Sequence, residues 1–145
     1  MSIILIRHAQ STHNAFGDQT RDCPLSGQGK KDAKAIKGHY DLVICSTLKR
    51  ACETLEYSSL KYNNIIYTDL CREIRDGNPI NLLLKEEESM ESYEDIKKRI
   101  QTFKDFLKEQ HLKYSKIAVI SHGVFLGYLS GHPSCNCEHW NYTDL

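Results

Sequence analysis

Three short apolar runs, Ile3 to Ile6, Leu42 to Cys45 and Ile117 to Ile120, each stop abruptly at polar or glycine-containing residues. Continuous apolar runs of this length, rather than alternating ones, suit strands buried on both faces. Ile65 to Tyr67 is a fourth candidate. Between these runs, Gln28 to Lys37 and Leu48 to Ser58 are long enough to be helices that cross over between parallel strands. A further helix is predicted from Ser92, an N-cap with Asp95 three residues on, and it places Tyr93, Ile96, Ile100, Phe103 and Leu107 on one face. That stripe reads as core packing, and Lys85 to Glu91 (KEEESME) reads as a solvated loop. The alternation of strand and helix predicts an α/β chain: a three-layer α/β/α sandwich with a mainly parallel sheet.

No repeat, low-complexity tract or linker divides the 145 residues, so residues 1–145 are expected to form a single domain. Nineteen basic and nineteen acidic side chains cancel, which gives no electrostatic reason to expect nucleic acid or an anionic membrane as partner. The run Ile3 to Ile6 is too short for a signal-peptide core or a membrane span, and a cytoplasmic protein is expected. The cysteines at 23, 45, 52, 71, 135 and 137 are then expected to be reduced thiols filling small core spaces, with no structural disulfide.

In a parallel sheet, ligands bind at the carboxyl ends of the strands. Three such ends carry chemistry: Arg7 and His8 after the first run, Ser46 to Arg50 after the second, and Ser121-His122-Gly123 after the last. Two arginines, two histidines and Asn14 gathered at one rim would offer a phosphate several charge-assisted hydrogen bonds. An imidazole can also attack phosphorus, provided that it is neutral, and adjacent guanidinium groups favour the neutral form. Taken singly, His8 or His122 fits a partly buried structural histidine, and Arg50 fits an ordinary helix-face charge; their combination favours a phosphate site.

The segment RHAQSTHN, Arg7 to Asn14, resembles the RHG-type signature of the histidine phosphatase, or phosphoglycerate mutase-like, superfamily. Asp22-Cys23-Pro24-Leu25-Ser26 with Gly29 is similar to its D-x-P-L-[ST]-x-x-G segment, and Ser46 to Ala51 with Thr54 to its S-x-L-x-R-A-x-x-T segment. Leu70-Cys71-Arg72-Glu73-Ile74 resembles its acid segment, and Ser121-His122-Gly123 its second histidine motif. These motifs follow in family order over most of the chain. The resemblance implies that His8 is the nucleophile. It further implies that Arg7, Arg50 and His122 hold the phosphoryl oxygens with help from Asn14 and Gly123, and that Glu73 is the acid and base. Such chemistry calls for no cofactor and no metal.

Ala9 and Gln10 stand where glycine and glutamate are common in the family, and Asp76 to Ile80 only loosely resembles its continuation, which leaves Arg72 or Arg75 as alternative substrate contacts. Between Glu73 and His122 there is room for one charged loop, one helix and one strand, so the fold expected is a minimal form without a large lid insertion. A site without a lid is open to water, which favours hydrolysis over phosphoryl transfer back to substrate.

The function expected is therefore a phosphatase acting on phosphomonoesters through a phosphohistidine on His8. Its partner would be a phosphorylated small molecule or a phosphoprotein. A protein phosphohistidine or phosphotyrosine phosphatase is the alternative within the enzyme class. A phosphoglycerate mutase and a non-catalytic phospho-ligand scaffold are the remaining readings. The oligomeric state is not legible here. In the tail, His132 to Trp140 has cysteines and histidines, but its spacing departs from zinc patterns; Asn136 to Trp140 is expected as an edge strand, and Tyr142 to Leu145 as a frayed end.

Overall fold

A computed structural model of the protein describes residues 2–18, 20, 22–75 and 90–144. Asp76 to Ile80, most of the KEEESME stretch and Leu145 lie outside these residues. Five strands form one sheet: β1 (Ser2–Arg7), β2 (Lys37–Ser46), β3 (Ser59–Thr68), β4 (Lys116–Ser121) and β5 (His139–Asn141), in the order β3-β2-β4-β1-β5. All pairings are parallel except that of β5, which runs antiparallel on β1. Among the described residues five α-helices accompany them: α1 (Thr12–Phe16), α2 (Gly27–Ala33), α3 (Lys49–Tyr57), α4 (Tyr93–His111) and α5 (Gly123–Ser130).

The strand period of two divides the apolar runs between two layers. Ile3, Leu5, Leu42, Ile44, Ile117 and Val119 face a core completed by Ile96, Ile100, Phe103 and Leu107 of α4 and by Phe125, Leu126 and Leu129 of α5. Ile6, Val43, Cys45, Ala118 and Ile120 face the other side, against Ala51 and Leu55 of α3. Both faces are thus covered, which is why the runs are continuous in sequence. This is the expected three-layer α/β/α arrangement with a mainly parallel sheet. No helix among the described residues is long and apolar enough to cross a membrane.

Several local expectations need correction. The helix expected over Gln28 to Lys37 ends at Ala33, because β2 already begins at Lys37. The early parts of β2 and β3 pair with each other, Lys37 with Ser59 through Tyr40 with Tyr62, and this ribbon is largely exposed and polar. Helix α4 has the expected capping box of Ser92 and Asp95, but Tyr93 is exposed and the buried stripe starts at Ile96. Glu91 is not solvated: its side chain is 5% exposed and paired with Arg99. None of the six cysteines is joined in a disulfide among the described residues, and Cys135 is exposed and fills no core space. The edge strand is shifted towards the C-terminus, to His139–Asn141, so both tail cysteines precede it; Cys137 is half-buried against the α3-side core. Tyr142 is not frayed; it is buried in the main core and its N–H bonds the Ile3 carbonyl.

Candidate active site

The parallel register aligns the carboxyl ends of β1 and β4, pairing Arg7 with Ser121, while β2 ends beside them at Ser46. The loops leaving these ends form a cavity of about 180 Å³ lined by Arg7, His8, Ser11, His13, Asn14, Arg50, Glu73 and Val124. Four of the predicted groups after β1 and β2, and the predicted acid Glu73, therefore meet in one place. His122 and Gly123 lie beside it rather than on its wall: the His122 ring centroid is 5.2 Å from that of His8, and Gly123 packs on the Arg7 guanidinium, where a Cβ would come within 3.1 Å.

The loop holding His8 is braced by the other motifs. Thr54 Oγ1 accepts the Ala9 N–H at 2.9 Å and donates to the Arg50 carbonyl at 2.6 Å, tying the residue after His8 to the first turn of α3. Ser26 caps α2 and donates to Gln10, while its own N–H bonds the Gln10 carbonyl. Gly29 lies so close to Gln10 that a Cβ would fall 2.0 Å from its carbonyl oxygen, so only glycine fits. The proline-leucine-serine segment is thus a buttress for the loop after β1.

His8 is 4% exposed, and its Nδ1 lies 2.6 Å from the Ala9 carbonyl. A carbonyl can only accept, so Nδ1 carries the hydrogen and Nε2 keeps its lone pair. Burial, then the charge of Arg50 and that of Arg7, holds the imidazole well below its ordinary pKa, so the ring is neutral. His122 is fully buried and is held well below its ordinary pKa by burial, then by Arg50 and His8. Its Nε2 is 2.8 Å from Ser46 Oγ, while its Nδ1 has no partner among the described residues.

Arg50 is 1% exposed, and neither Nη1 nor Nη2 has a hydrogen-bond partner among the described residues. A buried guanidinium left so is costly by several kcal/mol unless an anion completes it. Arg7 donates through Nη1 to the Ser134 carbonyl and leaves a buried Nε without a partner. Asn14 Oδ1 is taken up by the Ser11 N–H and hydroxyl and by Asn136, so only its amide nitrogen remains for a ligand.

Glu73 is 7% exposed. Its Oε1 accepts N–H groups from Ile74 and Phe125, both at 2.9 Å, and its Oε2 accepts only the longer 3.3 Å contact from Val124. Burial pushes the carboxyl above its usual range, with those N–H bonds and the Arg50 charge acting in opposition. Oε2, the less engaged oxygen, is the one with room for a proton.

Sequence reading missed how Glu73 is held. Arg99 of α4 donates to the carbonyls of Leu70 (2.9 Å), Arg72 (2.8 Å) and Glu73 (3.3 Å). It also makes a two-pronged pair with Glu91, Nε to Oε2 at 2.9 Å and Nη2 to Oε1 at 2.8 Å. Its guanidinium lies 5.0 Å from the Phe125 ring. Glu91 also accepts the Arg75 N–H. Among the described residues, Arg72 and Arg75 line a separate depression with Glu91, Lys98 and Arg99, not the cavity at His8. Among the described residues no cluster of three or more histidine, cysteine, aspartate or glutamate side chains could hold a metal ion; His132 of the tail instead bonds Glu138 at 2.5 Å.

Solved structures of similar fold include a protein assigned as an alpha-ribazole-5'-P phosphatase from Escherichia coli, 23% identical, with a TM-score of 0.69 over 89% of this chain and 77% of the other. The phosphoserine phosphatase of Entamoeba histolytica is 18% identical, with a TM-score of 0.66 over 97% and 89% of the two chains. A mycobacterial glucosyl-3-phosphoglycerate phosphatase is 15% identical, with a TM-score of 0.67 over 96% and 89%. No curated protein matches the sequence. The family model of the histidine phosphatase superfamily, branch 1, matches residues 3–81, more than half of the chain. With the phosphoglycerate mutase-like fold in place around those residues, the chain belongs to the histidine phosphatase superfamily.

Proposed function

We propose that the protein is a phosphatase that hydrolyses phosphomonoesters through a covalent phosphohistidine on His8. The observation that carries this reading is the buried Arg50 guanidinium with both terminal nitrogens unpartnered, lining one cavity with a neutral His8. A phosphoryl group would complete Arg50, and Arg7 Nε would add a second cationic donor. The Ser46 hydroxyl already accepts the Leu48 N–H, so its own hydrogen can go to His122 Nε2. His122 would then carry its ring hydrogen on Nδ1, as a further donor to the phosphoryl oxygens.

In the first step the His8 Nε2 lone pair attacks phosphorus and the ester P–O bond breaks. The departing alkoxide takes the proton of the Glu73 carboxylic acid. In the second, the Glu73 carboxylate takes a proton from water, whose oxygen attacks phosphorus. The P–N bond then breaks, releasing phosphate and neutral His8. Burial of Glu73 favours its protonated form, which suits the first step. A scaffold that only binds phosphate has no need of a ring locked with its lone pair free.

Hydrolysis of a generic aryl phosphate in the presence of excess chelator, lost in His8→Ala, is the expected result. No turnover across aryl, alkyl and peptidyl phosphates, with inorganic phosphate still raising the melting temperature, would favour the scaffold instead.

A further inference from the structure

Helix α5 begins at the site and is almost wholly apolar, but it does not bury all of its apolar face. Phe125, Leu126 and Leu129 are in the core, whereas Val124 and Tyr128 are 37% and 46% exposed. Together with Gly127, Gly131 and Pro133, they line a groove of about 400 Å³, larger than the cavity at His8. Among the described residues, no charged side chain lines it.

The glycines of this face differ in kind. Gly123 is required by the Arg7 guanidinium packed on it, and Gly131 by its left-handed φ of +75° at the helix C-cap. Gly127 has neither reason: its backbone is ordinary helix, and a Cβ there would meet nothing within 4 Å. A glycine inside a helix costs about 1 kcal/mol relative to alanine. What it leaves at position 127 is room in the groove.

The groove adjoins the site. Val124 lines both, and its N–H bonds Oε2 of Glu73. An ester oxygen that takes its proton from Glu73 Oε2 lies near Val124, and a group attached to that oxygen can extend past Val124 along α5.

We propose that this groove binds the apolar organic group of the substrate, an uncharged moiety about the size of an aromatic ring, while the phosphoryl group sits at His8. This deepens the phosphatase reading and rests on it. A wall whose side chains are apolar but for the Tyr128 hydroxyl gives the several hydroxyl and carboxylate groups of sugar phosphates or phosphoglycerates few partners, so such leaving groups are disfavoured.

The test compares ethyl phosphate with 2-phenylethyl phosphate, whose alcohols are of closely similar acidity, in the wild type and in Gly127→Leu. Leucine is a good helix former, and at position 127, where a Cβ would meet nothing within 4 Å, its side chain would enter the groove. The wild type should favour the phenylethyl ester by about tenfold or more in kcat/KM, within the range that one apolar group supplies in a pocket. Gly127→Leu should erase that preference while leaving ethyl phosphate within about twofold. Binding of ethylphosphonate and 2-phenylethylphosphonate, measured by calorimetry, gives the same comparison without turnover. A phosphonate preference lost in Gly127→Leu, with no hydrolysis of any ester, would uphold the groove and sink the phosphatase reading. Equal handling of both ligands by the wild type, or a preference that survives Gly127→Leu, would overturn the groove. So would concentration-dependent dimerisation in light scattering that the variant abolishes without changing ligand preference.

Discussion

Glu73 accepts the N–H of Phe125 at 2.9 Å, so the segment after β3 is docked on the first turn of the helix that follows His122. The candidate acid and the second histidine are thereby joined through the first turn of α5. Glu73 is held from outside its own segment by the N–H of Phe125 in α5 and by Arg99, as well as by the neighbouring Ile74 N–H.

If Glu73 supplies the leaving-group proton, its importance should scale with how poor the leaving group is. Glu73→Gln keeps the size of the side chain but cannot donate as an acid. It should slow hydrolysis of an alkyl phosphate by about 10²- to 10⁴-fold and of a nitrophenyl phosphate by far less. Steady-state kinetics on the two esters checks this, and equal small losses would remove Glu73 from that role.

On the proposed reading, Arg50 is held for a ligand at the expense of the fold. Burying a charge without a partner costs stability, and an apolar side chain of similar size removes that cost. Arg50→Met should therefore leave the melting temperature in phosphate-free buffer unchanged or raised, while abolishing turnover. Inorganic phosphate should raise the wild-type melting temperature and not that of the variant, as differential scanning calorimetry would show.

Arg99 should act as a positioning residue through Glu73. Arg99→Met removes the two-pronged partner of Glu91 and leaves it only Arg75, so it should cost stability, by less than the roughly 3–5 kcal/mol of a fully broken buried pair. Replacing both partners, Glu91→Met with Arg99→Met, should recover part of that stability in a urea titration. In the double variant, turnover of an alkyl ester should fall more than that of an aryl ester. That selectivity marks a misplaced acid; a purely structural role would lower both alike.

The histidines set the pH dependence of stability. His8 and His122 are both held below 6.5 in the folded protein, by burial first and then by Arg50. The unfolded chain binds more protons than the native one as pH falls below about 6.5, so stability is lost on acidification through that range. Glu73 acts with the opposite sign: its raised pKa adds stability that is full below about 4.5 and is lost as pH rises through its folded value. Urea titrations between pH 5 and pH 8 should show lower stability at the acid end. His8→Ala and His122→Ala should each flatten that dependence.

What was legible in the chain follows from physical range. Apolar runs report burial directly, so Ile3 to Ile6, Leu42 to Cys45 and Ile117 to Ile120 located the three central strands and hence the loops of the site. The exposed ribbon of Lys37 to Tyr40 with Ser59 to Tyr62 buries little, and its pairing has no apolar signature. Motif order identified Arg7, His8, Arg50 and Glu73, which line one cavity. Glu91 and Arg99 were hidden because a buried ion pair and a solvated charged face are written with the same residues; only the fold brings Arg99 onto the carbonyls of Leu70, Arg72 and Glu73. Ser46 stood in a quoted motif, but its contact with His122 spans two strand ends that no local pattern connects.

The central claim is that the Nε2 of His8 takes the phosphoryl group. Mixing the enzyme with a ³²P-labelled aryl phosphate for milliseconds, quenching in alkali, where phosphohistidine survives, and digesting the protein gives the direct test. The account predicts acid-labile label on the peptide that contains His8, absent from His8→Ala. Normal turnover with no label on that peptide would contradict it.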